Sequence, residues 1–192
     1  MPSQPPAQPR RVDDIDWSTW RPVDLATLLF VREGGRVLLI EKKRGLGEGL
    51  VNAPGGRLEP GETPREAALR EVEEELRVRP REAVWAGRHR FQFCDGYSMD
   101  VHVYQSRGAH GLAEETAEAV PLWVDEDAIP YARMWSDDPL WIPLLLRGVR
   151  FDGRYVFDGA QMLDHQVEAL PPDAADLDLG VRRPARPEEI AP

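Results

Sequence analysis

The chain has 192 residues, of which 42% are hydrophobic and 30% charged, with a formal net charge of −10. This composition is typical of one globular domain, and no apolar run approaches the about 20 residues needed to span a bilayer. The N-terminus lacks the apolar segment of a secretory signal, and no Lys/Arg block is long enough to grip a nucleic-acid backbone. We therefore expect no membrane and no polymer nucleic acid as partner. The single cysteine, Cys94, fits a reducing cytoplasm, so we expect a cytoplasmic location. We also expect a monomer.

The N-terminal part of the chain combines a polar segment with a hairpin signature. Residues 1–22 are rich in proline and polar side chains, which predicts a disordered extension whose Trp17 and Trp20 could dock on the domain. Residues 26–32 and 36–42 are two apolar runs separated by Glu-Gly-Gly. That pattern indicates a β-hairpin at the start of the domain.

The clearest helix follows a loop rich in glycine and proline. Thr63 is a good N-cap, Pro64 takes the first helical position, and Glu66 completes a capping box. The apolar spacing predicts a helix to about Leu76, and Pro80 prevents its continuation.

Strands dominate the remainder of the chain. The alternation predicts strands at 83–94, 97–106 and 120–124, a helix at 137–147 that Ser136 or Asp137 can cap, and a closing hairpin at 150–159 with a last strand or helix to 170. Strands with helices at two separate places favour an α+β domain over residues 23–170, with a mixed sheet flanked by helices. Residues 171–192 are proline-rich without apolar periodicity and predict a disordered tail.

Three acidic side chains crowd one face of the first helix. At 3.6 residues per turn, Glu71, Glu74 and Glu75 fall within an arc of about 100°. Like charges at this spacing repel one another, and a hard divalent cation such as Mg²⁺ would neutralise them. A solvated acidic face is the alternative. The preceding Gly55 and Gly56 favour the metal, because glycine lets backbone carbonyls approach an ion closely.

The spacing of these residues resembles the signature of the Nudix hydrolase superfamily. Gly56 is followed after five residues by Glu62, and after seven more by Arg70-Glu71 and the remaining glutamates. The resemblance implies an α/β/α sandwich with a central mixed β-sheet, and Mg²⁺-dependent attack of water on a pyrophosphate linkage, with Mn²⁺ as an alternative ion. It also implies that Glu71, Glu74, Glu75 and the Gly55 carbonyl hold the metals, and that Glu71 is a candidate base oriented by Arg70.

One position departs from that signature. The superfamily has a glycine where this chain has Arg77. A glycine there suits a left-handed C-cap, and another residue in that conformation costs about 1 kcal/mol. We expect a small loss of stability and unchanged metal binding.

A wider similarity, over about 26–168, points to one subgroup of the superfamily. The segments at 42–49, 51–56, 99–104 and 134–146 resemble the MutT-homologue enzymes that hydrolyse 8-oxo-purine nucleoside triphosphates. In that subgroup the residues matching Asn52, Asp137 and Asp138 bind the edge of the base, and the residue matching Trp135 stacks on its face. The resemblance adds further pocket positions at Thr27, Lys42, Phe91, Phe93 and Met99, and an additional metal-binding acid at Glu118.

Each of these residues also has an ordinary structural role as an alternative. Asn52 before Ala-Pro is typical of a turn, and Phe91 and Phe93 alternate as sheet-core residues do. Two pocket positions depart from the subgroup, because Leu46 replaces an aromatic residue and Val51 replaces a tryptophan. Base preference could therefore shift while triphosphate chemistry persists.

Three functions remain open from the sequence. The leading one is hydrolysis of oxidised purine nucleoside triphosphates, such as 8-oxo-dGTP and oxidised dATP, to the monophosphate and pyrophosphate, which sanitises the nucleotide pool. The second is a Nudix pyrophosphatase acting on ADP-ribose, a dinucleoside polyphosphate or a capped RNA. The third is a nucleotide-binding module without turnover. If one of two adjacent aspartates is protonated, the pair offers both a donor and an acceptor to a base.

Overall fold

The computed structural model describes residues 8–178 and 180–184. In these ranges the elements are, in chain order, β1 (Asp24–Glu33), β2 (Arg36–Lys42), β3 (Val51–Asn52), α1 (Pro64–Leu76), β4 (Arg79–Pro80), β5 (Val84–Phe93), β6 (Ser98–Ser106), β7 (Ala109–His110), β8 (Ala119–Asp125), α2 (Asp138–Leu146), β9 (Phe151–Asp158) and β10 (Gln161–Ala169). Single 3-10 turns lie at Val12–Asp14 and Tyr131–Arg133. The outermost parts of both predicted tails, residues 1–7 and 185–192, lie outside the described residues.

One large mixed sheet organises the domain. Its strand order is β10-β9-β5-β6-β1-β2-β3, and β8 also pairs with β2. The pairs β1–β6 and β5–β9 are parallel, while β1–β2, β5–β6 and β9–β10 are antiparallel. The short strands β4 and β7 pair separately. The segment to residue 170 that the sequence left as strand or helix is therefore a strand.

The two helices cover opposite faces of the sheet. Along β1, Leu29 belongs to the apolar cluster under α1 with Val72, whereas Phe30 belongs to the cluster under α2 with Trp141 and Ile142. Successive side chains of a strand point to opposite faces, so β1 serves both layers. This α/β/α arrangement confirms the predicted fold class.

Helix α1 has the predicted start and a strained end. The hydroxyl of Thr63 accepts from the Glu66 amide at 3.2 Å, and the Glu66 carboxylate accepts from the Thr63 amide at 2.8 Å. At the other end, Arg77 has a φ of 61°, the one positive φ outside glycine among the described residues. The left-handed C-cap expected at the departing position is present, with the cost that a side chain brings there.

Helix α2 begins at the predicted place, but its capping differs from the prediction. Asp137 occupies the N-cap position without a capping bond from its side chain. Its carboxylate instead accepts from Trp141 Nε1 at 3.1 Å, because residues four apart lie on one helix face. Among the helices in the described ranges, none is both long enough and apolar enough to cross a membrane.

The described part of the N-terminal segment packs against the edge of the sheet at β9 and β10. The Val12 amide donates to Asp164 at 2.9 Å, and Val12 is buried with Val156. Trp20 Nε1 donates to the Gln92 side chain at 2.8 Å. The sequence left open whether a tryptophan docks on the domain, and Trp20 does so as one of several contacts between this segment and the sheet. The domain boundary at residue 22 stays a prediction.

The described part of the C-terminal segment crosses the α1 face and reaches the loop before α1. Tyr104 donates its hydroxyl to Asp178. Further along, the Gly61 amide donates to the Arg183 carbonyl at 2.9 Å, and the Arg183 amide donates to the Glu62 carbonyl at 3.2 Å. The segment is therefore bonded to the loop that carries Glu62.

Candidate functional site

A cavity of about 560 Å³ lies between the sheet, the loop before α1 and the start of α2. This volume is within the range of small-molecule sites. Its wall on the α1 side contains Gly55, Gly56, Arg70 and Glu71, and its wall on the α2 side contains the residues His89, Phe91, Trp135, Asp137, Asp138 and Trp141. The structure therefore brings the signature helix and the segment around the two aspartates into one cavity.

Arg70 organises the acidic groups of the α1 side. Its Nε and Nη2 donate to the two carboxylate oxygens of Glu62 at 2.7 and 2.9 Å. Its Nη1 donates to Glu71 and to Glu74, each at 3.0 Å. Hydrogen bonds from Arg70 are also the main reason why the pKa of Glu62 is lowered. One guanidinium thus connects three carboxylates, and the role of Arg70 in orienting a catalytic base stays a prediction.

Glu75 lies deepest in this group. It is only 2% exposed, and burial raises its pKa to about 7, with the charges of Glu71 and Glu118 adding to the rise. The Gly55 amide donates to Glu75 at 2.9 Å, and Lys42 Nζ lies 3.8 Å from its other oxygen. The site therefore holds an acid that needs positive charge around it in order to ionise.

The glycines before α1 are required by these close contacts. A Cβ on Gly56 would lie 2.4 Å from a carboxylate oxygen of Glu71, so a side chain there would displace that carboxylate from its position. Gly55 has a φ of 156°, and a Cβ there would lie 2.1 Å from the Thr27 carbonyl. The carbonyls of Pro54 and Gly56, on either side of Gly55, accept from amides of β1. The Gly55 carbonyl lies between these two bonded carbonyls and does not take part in their pairing with β1.

The chemistry of these donors fits a divalent cation. In residues 8–178 and 180–184 no three acidic, histidine or cysteine side chains are grouped closely enough to hold an ion. The acids contact Arg70 and Lys42 instead, so their charge is balanced by cations already present. Buried carboxylate oxygens that repel one another are nevertheless the ligand type that Mg²⁺ prefers.

Glu118 lies near this group but faces another partner. It forms an ion pair with Arg44. Its amide donates to Thr116, whose hydroxyl donates to the Glu75 carbonyl at 2.9 Å. The loop is therefore bonded to α1, and the predicted metal-binding role of Glu118 stays a prediction.

The two aspartates of the α2 side are almost completely buried. Asp137 is 4% and Asp138 3% exposed. Burial raises the pKa of Asp137 to about 6. Burial and then the charge of Asp137 raise the pKa of Asp138 well above its ordinary value. Asp138 also accepts from the Trp135 amide at 3.0 Å. Both carboxyls are therefore easier to protonate than ordinary aspartates, and the hypothesis of a combined donor and acceptor stays a prediction.

Aromatic rings form much of the remaining wall. Phe91 stacks on Tyr155 with ring centroids 4.8 Å apart, and Met99 lies opposite Phe91 on the neighbouring strand. Trp135 meets Phe157 edge to face at 6.5 Å. Phe93 also lines the cavity. A flat apolar slot beside acidic groups is suited to an aromatic ligand with polar edges.

The polar residues predicted for the pocket have different local roles. Asn52 lines the cavity, and its side-chain oxygen accepts from the Ala53 amide at 2.8 Å. Thr27 also lines it, but its hydroxyl donates to the His102 carbonyl at 3.1 Å, within the sheet. Of the two departing positions, Leu46 is 53% exposed at the cavity rim, and Val51 is fully buried.

Several cavity residues were not singled out from the sequence. They include Arg57, His89, Tyr97, Trp141 and Phe157. The spacing of Trp141 four residues after Asp137 could have revealed one of them. His89 and Phe157 come from strands whose pairing the sequence does not specify, and Arg57 and Tyr97 come from the connections before α1 and β6.

Comparison with known proteins identifies the family. The chain matches the NUDIX domain family over residues 21–145. It belongs to that family. It is 40% identical over 148 residues to an oxidized purine nucleoside triphosphate hydrolase of Danio rerio, covering 76% of this chain and 95% of the relative. It is also 40% identical to a protein of the same description from Mus musculus, covering 69% of this chain and 86% of the relative.

Solved structures agree on the fold. The crystal structure of a MutT protein from Bacillus halodurans superimposes with a TM-score of 0.69 at 21% identity, covering 76% of this chain and 98% of that one. The NUDIX domain of Shewanella oneidensis NrtR, solved with ADP ribose, gives 0.57 at 15% identity, covering 71% of this chain and 94% of that one. At these identities the likeness concerns the fold alone.

Proposed function

We propose that this protein hydrolyses oxidised purine nucleoside triphosphates to the monophosphate and pyrophosphate, and so sanitises the nucleotide pool. The observation that carries the proposal is one cavity with the Arg70–Glu71 group on one side and the buried Asp137–Asp138 pair on the other. The 40% identity to two enzymes described as oxidized purine nucleoside triphosphate hydrolases supports it.

The α1 side is suited to the triphosphate. Glu71, Glu74 and Glu75, with Glu118 and the Gly55 carbonyl, would hold Mg²⁺ or Mn²⁺, which supplies charge neutralisation and a lowered pKa for the attacking water. Arg70 holds Glu71 and Glu74 in place through its hydrogen bonds. Glu71 is the candidate base. Lys42, on the cavity wall, adds positive charge toward phosphate oxygens.

The α2 side is suited to the base. Trp135 provides a face for stacking. The raised pKa values of Asp137 and Asp138 favour retention of a proton, and a pair that shares one would offer both a donor and an acceptor to the polar edge of the base. Asn52 adds an amide, and Thr27, Phe91 and Met99 shape the wall. An oxidised purine differs from its parent in its pattern of donors and acceptors, which such a set of groups can distinguish.

Turnover of a nucleotide panel with Mg²⁺ tests the proposal. The panel contains 8-oxo-dGTP, dGTP, oxidised dATP, ADP-ribose, a dinucleoside polyphosphate and a capped RNA. We expect the highest kcat/KM for an oxidised purine triphosphate, with pyrophosphate as product. Equal kcat/KM values for 8-oxo-dGTP and dGTP would contradict nucleotide sanitation, and a preference for one of the last three compounds would identify the alternative pyrophosphatase. No turnover of any compound would favour the non-catalytic module.

Two accompanying expectations belong to the same proposal. We propose a monomer that acts in the cytoplasm on small nucleotides rather than on a polymer. Light scattering of the purified protein should give a mass near the 21.7 kDa of one chain. Fractionation of the source cells should recover the protein with the soluble cytoplasmic enzymes.

A further inference from the structure

His89 is a buried polar residue on the wall of the cavity. It lies on β5 with 0% exposure, and its ring centroid is 4.5 Å from that of Trp141 and 5.0 Å from that of Phe151. Its Nε2 has no hydrogen-bond partner among the described residues. His89 is one of the residues that line the cavity, and buried polar atoms are normally bonded, so a ligand in the cavity is a candidate partner for this nitrogen.

The surrounding fold makes room for this histidine. His89 lies opposite Gly153 where β5 and β9 run parallel. A Cβ on Gly153 would lie 2.5 Å from His89 Nδ1 and 2.6 Å from the Tyr155 hydroxyl oxygen. Glycine at this position therefore leaves space for the His89–Tyr155 contact, which has an Nδ1 to hydroxyl distance of 3.1 Å.

The contact with Tyr155 determines which nitrogen carries the proton. Burial lowers the pKa of His89 to about 3, so the ring is neutral at neutral pH. Burial and the charges of the two nearby aspartates raise the pKa of Tyr155, so it keeps its proton. Among the described residues, the Tyr155 hydroxyl is within hydrogen-bonding distance of His89 Nδ1. The hydroxyl therefore donates to Nδ1, and Nε2 is left as an N–H donor.

We infer that His89 is a specificity-determining residue whose Nε2–H donates a hydrogen bond to a carbonyl oxygen of the bound purine. The inference rests on the proposed function and assigns a further group to the same cavity. Trp141 contacts both His89 and Asp137. The indole ring of Trp141 therefore links His89 to the acidic pair. An oxo-purine offers such an oxygen at position 6 or position 8, whereas an amino group does not accept in this way.

A second buried histidine provides an internal comparison. His102, on β6, is also 0% exposed with unpaired ring nitrogens among the described residues. Its neighbour Val101 lines the cavity, so the His102 side chain points to the opposite face of the sheet. Its Nε2 lies 3.8 Å from Asp100. His102 should therefore not respond to a ligand in the cavity.

Nitrogen NMR of protein labelled with ¹⁵N-histidine tests the inference directly. The chain has four histidines, so assignment by substitution is practical. The metal-free protein is titrated with 8-oxo-dGMP, dGMP and 8-oxo-dAMP, and occupancy is followed by tryptophan fluorescence. We expect the Nε2 resonance of His89 to shift and that of His102 to stay unchanged. A shift with both 8-oxo nucleotides identifies the oxygen at position 8, and a shift with both guanine nucleotides identifies that at position 6.

An unchanged His89 resonance at saturation with all three nucleotides overturns the inference. Because monophosphates bind without hydrolysis, this result is distinguishable from failure of the proposed reaction. Failure of that reaction would appear as no turnover of 8-oxo-dGTP by the same protein.

Substitutions provide a second readout. His89→Leu should lower kcat/KM by about tenfold for the nucleotide that shifts His89, as expected for one lost hydrogen bond. His89→Gln, which keeps an N–H donor, should restore part of that loss, and His110→Leu at an exposed position should have no effect. Thermal unfolding establishes that each variant is folded. A folded His89→Leu variant with wild-type kcat/KM for every nucleotide also overturns the inference.

Discussion

The two sides of the cavity bury acidic groups in opposite ways. On the α1 side, Glu71 is bonded to Arg70, and Lys42 lies near Glu75, so negative charge meets cations. On the α2 side, Asp137 and Asp138 are also buried, and within the described ranges no ion pair joins either of them to a cationic side chain. Their hydrogen bonds come from neutral N–H groups of Trp141 and Trp135.

This difference has a chemical consequence. An acid surrounded by cations can exchange them for a metal ion and remain ionised, which suits binding of phosphates. An acid buried without a cation relieves its cost by taking a proton, which suits recognition of a neutral base. We therefore propose metal chemistry for the α1 side and proton-dependent selectivity for the α2 side.

The largest effect is expected from a substitution that alters only the α1 side of the cavity. Glu71→Gln removes the candidate base and a metal-binding charge, and it should lower kcat by about 10²- to 10⁴-fold. The selectivity between 8-oxo-dGTP and dGTP should remain, because the α2 side is unchanged. Glu73→Gln is the matched control, since Glu73 on the same helix pairs with Arg79. Pyrophosphate release measures both variants. A Glu74→Gln variant with full activity would contradict the metal assignment.

The second prediction concerns protons on the α2 side. The folded pKa of Asp137 is about 6 and its ordinary value is 3.8, so the folded protein binds more protons between these values. The contribution of Asp137 to the free energy of unfolding should therefore fall as pH rises through about 4 to 6 and stay low above that range. Asparagine cannot ionise and can still accept from Trp141. Asp137→Asn should thus be more stable than wild type by about 1–3 kcal/mol at pH 8, with little difference at pH 4.

Urea unfolding of both proteins at pH 4, 6 and 8 measures this difference. Asp125→Asn, at an exposed position at the end of β8, controls for the loss of one negative charge. A stability difference between Asp137→Asn and wild type that does not change with pH would show that Asp137 is not proton-linked to folding.

A third prediction separates base binding from catalysis. Trp135→Ala removes a stacking surface worth about 1–3 kcal/mol per base. We expect KM for the preferred nucleotide to rise about tenfold or more, with a smaller change in kcat. Trp123→Ala is the control, because Trp123 lies on β8 with Arg36 against its ring and does not line the cavity. Equal KM values for both variants would remove Trp135 from the base site.

The smallest effect concerns the end of the signature helix. Arg77 adopts a φ of 61°, so Arg77→Gly should stabilise the protein by about 1 kcal/mol and leave kcat unchanged. Arg77→Ala removes the arginine side chain but does not gain the ease with which glycine adopts a positive φ. It therefore separates the effect of losing the side chain from the effect of relieving the backbone. Thermal unfolding measures both. A Gly variant no more stable than the Ala variant would show that the left-handed conformation carries no measurable cost here.

Features of the fold that depend on neighbouring residues could be predicted from the sequence. The capping box at Thr63 and Glu66 is local, and so are the β1–β2 hairpin and the spacing of Glu71 along α1. The family resemblance added the joint location of Asn52 and Asp137, which spacing alone does not reveal. Local patterns and resemblance together therefore predicted the sandwich and much of the cavity.

Features that depend on distant pairing were not predicted. His89 and Tyr155 meet only because β5 and β9 pair in parallel, and Gly153 has a purpose only in that register. The side chain of Asp137 was expected as a cap because its preference for N-caps is local, whereas its bond to Trp141 reflects burial. Such contacts follow from packing of the whole sheet, which no short segment encodes.

The bonding of the C-terminal segment to the loop before α1 has a practical consequence for handling the protein. The amides of Gly61 and Arg183 are protected from exchange with solvent only while the two stretches are paired. Glu62 accepts a hydrogen bond from Arg70, so a chain of hydrogen bonds connects Arg183 through Glu62 to Arg70. Deuterium uptake at Gly61, compared between the untagged protein and a protein with a carboxyl-terminal purification tag, therefore shows whether the tag disturbs this pairing.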